Sequence, residues 1–216
     1  MTPVNEKRAY RSRLRAEQAE HTRETVIARA AELFVAEGWH KATIAGIARQ
    51  AGVSPETIYA VFGNKRALLE AVIARAVRGA SPDTPLLEQA GPAGVASAPT
   101  QAAQIARFAT DITGVLSRVA TLMDVVRSAA RADAEMRTLL DNLHAGRRRN
   151  LKFLVDALLT RGPLRTGLGS DDALDTVWRL CSPELFLFMR DIEGRAPEAY
   201  RDWLDKCLGE LLLDRP

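Results

Sequence analysis

The sequence predicts an all-α protein: an N-terminal three-helix helix-turn-helix domain followed by a larger C-terminal helical domain. Three observations predict it. Apolar residues recur at helical three-and-four spacing from Val26 to Phe34 and again from Ile105 to Leu212, and no stretch alternates as a strand does. Two helix starts, Thr43 and Ser54-Pro55, flank the helix-stopping Gly52. Between the two periodic regions, residues 79–100 hold four of the ten prolines and three glycines, with neither helical nor strand period.

Residues 1–20 read as a basic N-terminal arm carrying Lys7, Arg8, Arg11, Arg13 and Arg15. It is either a frayed terminus or an arm that adds phosphate or minor-groove contacts. Residues 21–78 form the next unit. Val26, Ile27, Ala30, Leu33 and Phe34 mark an amphipathic helix from Thr22 that ends near Gly38. Ile44, Ile47 and Ala48 give a second helix one apolar stripe, Gly52 ends it, and Val53 plugs the gap. Ser54 then caps a third helix with Pro55 at its first position and Glu56 facing the positive end of the dipole. Ile58, Val61 and Phe62 are expected inward; Ser54, Pro55, Glu56, Thr57 and Ala60 outward, with Tyr59 at the edge. Asn64 caps a fourth helix that carries Leu68, Leu69, Val72 and Ile73 and runs to about Arg78.

Residues 79–100 read as a flexible linker, with one helical turn around 86–90. From Gln101 to Pro216 periodicity returns. One or two helices run to about Arg131, and a long one carries Met136 through Leu158 and stops at Gly162-Pro163. Another starts at Ser170 and restarts at Ser182-Pro183, and a last one carries Tyr200, Trp203, Leu204, Cys207, Leu208, Leu211 and Leu212.

The segment Leu33-Phe34 … Gly38-Trp39 … Thr43-Ile44 … Ile47-Ala48 … Ala51-Gly52-Val53-Ser54 … Thr57-Ile58-Tyr59 … Phe62 … Asn64-Lys65 … Leu68-Leu69 resembles the DNA-binding domain of the TetR family of transcriptional regulators. The resemblance covers roughly residues 22–72. It implies that Thr43, Ser54, Pro55, Glu56, Thr57, Tyr59 and Lys65 form the DNA-binding set, with Thr43 and Lys65 on phosphates and the start of the third helix in the major groove. The sequence departs from the family pattern at Ala45, Gly46, Glu56 and Val61. Glu56 is left with two roles, accepting from a cytosine amino group or serving the helix dipole. The resemblance also implies a homodimer and a small-molecule effector bound in the C-terminal domain.

Charge agrees with a polyanion partner for the first half. Residues 1–80 carry 13 Lys/Arg against 8 Asp/Glu, whereas the remainder carries 17 against 19. The run Arg147-Arg148-Arg149 reads as a solvated helix face in preference to a second nucleic-acid patch. His21, His40 and His144 share no metal spacing, Cys181 and Cys207 read as buried thiols, and no catalytic motif appears. No metal, no cofactor and no enzymatic activity are therefore expected. The absence of a signal segment and of an apolar span places the expected setting in the cytoplasm.

Candidate effector contacts, all inside residues 101–190, are Phe108, Ile112, Met123, Arg127, Phe153, Trp178 and Met189, with Arg127 as polar anchor. Residues 171–190 and 197–213 are expected to pair with their symmetry mates as a four-helix bundle. The reading that follows is a ligand-responsive repressor of a palindromic operator, released by its effector. The alternative is a helical ligand-binding or scaffolding protein that has lost specific DNA binding.

Overall fold

The structure, a computed structural model, describes residues 3–214, with side chains from residue 14 onward. Among the described residues every regular element is helical. They fall into two compact units, residues 1–74 and 75–216.

In the first unit α1 spans Pro3–Lys41 and is broken at Gly38, whose φ of 74° and ψ of 176° no helical residue adopts. The helix therefore starts well before Thr22. The segment read as an arm is rich in Ala, Arg and Glu and lacks an interior glycine or proline, so propensity favours helix. The side chains of Lys7, Arg8, Arg11 and Arg13 lie outside the described residues. Helices α2 (Ile44–Ala51), α3 (Pro55–Phe62) and α4 (Lys65–Arg78) follow. Val26, Ala30, Phe34, Ile47, Ile58, Leu68, Leu69 and Val72 are buried together as this unit's core. Gly52 takes the left-handed conformation and its N–H closes α2 onto Ala48 and Arg49. Val61, expected inward, is 44% exposed; Ile58 alone is buried on α3.

The second unit is built around α6 (Gln101–Ala129), against which α7 (Ala134–Leu159), α9 (Pro183–Leu187) and α10 (Pro197–Leu212) pack. Helix α8 (Ser170–Leu180) lies on α7. Residues 79–100, expected as a linker with one helical turn, hold more regular structure than that. A 3₁₀ turn at Leu86–Glu88 leads into α5 (Ala90–Ala96), which packs on α6 and buries Pro92 and Val95, with Ala98 just beyond. Arg107 Nη1 donates to Gly94 O at 2.6 Å, and Arg161 Nε to Ala98 O at 3.0 Å. Gly91 lets Asp111 lie against α5: a Cβ would stand 1.9 Å from Asp111 Oδ1 and displace it.

The expected dimer helices are also more divided than the sequence suggests. The restart at Ser182-Pro183 forms as expected, between α8 and α9, but beyond it the chain turns through a π turn at Phe188–Ile192. On α10, Tyr200, Leu204, Leu208 and Leu212 are buried inside the protomer itself, Leu208 completely. Of the stripe, Trp203, Cys207 and Leu211 are left incompletely covered, and on the π turn Phe188 and Ile192 are exposed, the latter 73%.

Candidate functional site

The start of α3 is set by three local features. Ser54 Oγ accepts from the Thr57 N–H at 3.3 Å and lies 3.2 Å from Thr57 Oγ1, while Pro55, with no N–H to satisfy, fills the first helical position. Thr43 Oγ1 accepts from the Gly46 N–H at 3.0 Å and starts α2 in the same way. A Cβ at Gly46 would approach Thr43 Oγ1 to 3.1 Å and Leu33 Cδ2 to 3.3 Å, so the missing acidic residue at this position is matched by a tight seat on α1. At Thr43 the hydroxyl oxygen accepts from the backbone, which leaves its proton for an outside acceptor such as a phosphate; the Ser54 hydroxyl proton goes to Glu56.

Ser54, Glu56, Tyr59 and Ala60 are exposed along α3, with Pro55 and Thr57 half-buried beside them. Glu56 turns back on its own helix start: hydrogen bonds from its own amide and from the Ser54 hydroxyl hold its carboxyl below the usual carboxylate range. That geometry fits the dipole role over the cytosine role. Lys65 also differs from a free phosphate clamp. Its ammonium donates to the Trp39 carbonyl and sits 4.3 Å from the Trp39 ring centroid, and burial pushes its pKa down. One face of the ammonium is thus engaged within the domain. Asn64 Oδ1 caps α4 beside it by accepting from the Ala67 N–H at 2.8 Å.

Residues 26–72 match the family described as bacterial regulatory proteins, tetR family. The amino-terminal domain thus matches that of TetR-family regulators. A stretch of 63 residues is 44% identical to the HTH-type transcriptional regulator SrpR of Pseudomonas putida, covering 29% of this chain and 30% of that protein. A stretch of the same length is 43% identical to the uncharacterized HTH-type transcriptional regulator TtgW, also of Pseudomonas putida, covering 29% of this chain and 47% of that one. The matched stretch thus spans between about a third and a half of these relatives. The whole fold is similar to NalD of Pseudomonas aeruginosa, the secondary repressor of the MexAB-OprM multidrug efflux pump. The TM-score is 0.67 and the identity 18%, covering 93% of this chain and 100% of that one. FadR of Bacillus subtilis in complex with stearoyl-CoA is similar as well, at a TM-score of 0.66 and 19% identity, covering 86% of this chain and 96% of that one. At these identities the likeness concerns the fold.

The effector-contact candidates of the second unit do not share one setting. Phe108 and Met189 belong to the buried core of the second unit, and Ile112, Phe153 and Trp178 pack against it. Phe108 and Phe153 meet as a tilted ring pair, centroids 5.9 Å apart. Met123 is buried on α6. Arg127 is not an interior anchor. It pairs with Asp124 one turn back, with side chains 41% and 39% exposed.

The interior cation is Arg147, which sequence reasoning placed on a solvated face. Its Nη1 donates to the carbonyls of Trp178 at 3.1 Å and Cys181 at 3.0 Å, and its Cζ lies 4.7 Å from the Trp178 ring centroid. The reason is the break before Pro183. The terminal carbonyls of α8 lose their helical donors there, and Arg147 and the Tyr200 hydroxyl, 2.8 Å from Leu180 O, supply them instead. Ser182 N–H serves Arg179 O at 3.2 Å. Arg148, bound to Asp175, and the exposed Arg149 are the surface charges of the run. The signal was present in the sequence: Arg147 falls four residues before Leu151 and seven before Leu154, on the apolar face. Cys181 is buried and its thiol is pushed up to about 12 by desolvation, so it is inert; Cys207 is half-buried. Gln104, also unforeseen, is completely buried and ties α6 to Ala157 O of α7 at 3.0 Å. Among the described residues there is no group of three metal-binding side chains, and no helix is long and apolar enough to cross a membrane.

Proposed function

We propose that the chain is a one-component transcriptional regulator, a repressor that binds a palindromic operator as a homodimer and is released by a small-molecule effector held in its second unit. One observation carries the reading: an exposed, hydroxyl-capped α3 seated on α2 across the left-handed Gly52, within residues that match the family of bacterial regulators. The DNA contacts are assigned to Thr43, Ser54, Pro55, Thr57, Tyr59 and the free face of Lys65, with Glu56 ordering the helix start. The dimer surface is assigned to the outer edge of α10 with Phe188 and Ile192, because the stripe through Leu208 is already covered within the protomer. A regulator of this design responds to an effector only if the ligand prefers the DNA-incompetent state, by a coupling of about 1–3 kcal/mol.

A second reading, a helical ligand-binding protein without specific DNA binding, is favoured by two observations. Helix α3 carries no basic residue, and Lys65 is engaged by Trp39. Binding of the full chain to the DNA upstream of its own gene, compared with a shuffled duplex, separates the two. Preference for the upstream DNA supports the regulator, and equal binding to both supports the alternative.

A further inference from the structure

Three nitrogen atoms in the second unit are buried without a hydrogen-bond partner and belong to neighbouring side chains: His144 Nδ1, Arg147 Nε and Trp178 Nε1. His144 and Arg147 lie one turn apart on α7, and Trp178 comes from α8. The Trp178 ring meets the His144 ring edge-on at 6.0 Å between centroids and carries the Arg147 guanidinium on its face. Arg147 Nε and Trp178 Nε1 can only donate, and burial together with the Arg147 charge keeps His144 neutral, so that Nδ1 is a donor in one of its tautomers. A lone buried donor forfeits a hydrogen bond that water would have given, and three such donors on side chains in mutual contact call for an acceptor.

The acceptor's chemistry follows from the neighbours. Arg147 is a fixed cation whose Nη1 is spent on two carbonyls, which leaves the Nε edge, the geometry that takes a carboxylate. Glu184 and Asp141 act on this cluster at longer range, and Glu184 is felt by both His144 and Arg147, yet the three nitrogens remain unpartnered. Cys181 and Tyr200 adjoin Arg147 but are held in their neutral forms. Beyond the donors, the same faces of α7 and α8 continue into Leu151, Leu154, Leu174 and Val177, all buried and apolar. We propose that His144, Arg147 and Trp178 form a binding site for the carboxylate of an amphiphilic organic acid, whose apolar body lies toward these residues. That this acid acts as the effector rests on the function proposed above.

The indole N–H of Trp178 reports directly, with Trp39 and Trp203 as internal controls, since the chain has three tryptophans. The ¹⁵N-labelled full chain is titrated with benzoate and with octanoate, against octanamide and sodium chloride at matched ionic strength. The Trp178 indole proton is expected to move downfield saturably with one or both carboxylates and not with chloride. Trp178→Phe keeps an aromatic ring beneath Arg147 while removing the indole donor, and is expected to weaken carboxylate binding by roughly tenfold or more in calorimetry. No saturable Trp178 response to either carboxylate, an equal response to chloride, or a response that appears only in Glu184→Gln would overturn the proposal; the last would identify Glu184 as the internal acceptor. DNA affinity is read in parallel. Carboxylate binding that leaves DNA affinity unchanged counts against the effector role and not against the site.

Discussion

Replacing Arg147 by methionine should destabilise the second unit by about 3–5 kcal/mol, although it removes one residue of a three-arginine run. Its two hydrogen bonds to the α8 carbonyls have a charged donor, and bonds of that kind contribute roughly 1.5–3 kcal/mol each. The stack on Trp178 adds about 0.5–1 kcal/mol. Relief from burying the cation, whose pKa burial pushes down, returns part of that sum, which leaves about 3–5 kcal/mol. For a chain of this size the melting temperature should fall by about 6–20 °C. Arg148→Ala is the matched control: its pair with Asp175 has side chains 42% and 33% exposed, and such pairs contribute about 0–1 kcal/mol. Urea titration followed by circular dichroism and by tryptophan fluorescence measures both. An Arg147→Met variant within about 1 kcal/mol of the wild type, or an equal loss in Arg148→Ala, would refute the capping role.

Leu208→Asp should unfold the second unit by placing a charge in a fully buried position, at a cost above about 4 kcal/mol, whereas Ile192→Asp should leave the protomer folded and, in light scattering, shift the dimer toward monomer. A folded Leu208→Asp monomer would reverse the two assignments. His144 has its pKa lowered below the ordinary 6.5 by burial and by Arg147. The unfolded chain therefore binds its proton first, and stability should drop as pH falls from 6.5 toward the folded-state value; His144→Phe should flatten that part of the curve in denaturation series at pH 7 and below. Lys65→Met should destabilise the first unit by about 1–2 kcal/mol through loss of the Trp39 contacts, and should weaken DNA binding alike for all sequences, lowering the salt slope by about 1. A sequence-selective loss instead would mean that Lys65 reads bases.

What could be read from the sequence was what is fixed locally. The caps at Thr43 and Ser54-Pro55, the stop at Gly52 and the cap at Asn64 depend on residues within four positions of one another, and each forms as its residue type dictates. What escaped depends on distant partners. Helix α5, AGPAGVA, has no amphipathic period, and it is ordered by packing on α6 and by arginines 13 and 63 residues away from the groups they bind. The α10 stripe is wide enough to face both its own core and a partner, and only the placement of α6 shows that Tyr200, Leu204 and Leu208 serve the former. Arg127 and Arg147 look alike in sequence. One sits a turn from Asp124, and the other finds the open carbonyls that Pro183 leaves at the end of α8.

The central claim, a DNA-binding domain that reads an operator, is tested most directly by fluorescence anisotropy of the full chain on the duplex upstream of its own gene and on a shuffled duplex, across a salt series. Binding to the upstream duplex should be tighter at every salt concentration, with log affinity falling linearly against log salt by about 0.9 for each phosphate neutralised. Equal affinity for both duplexes throughout the series would contradict it.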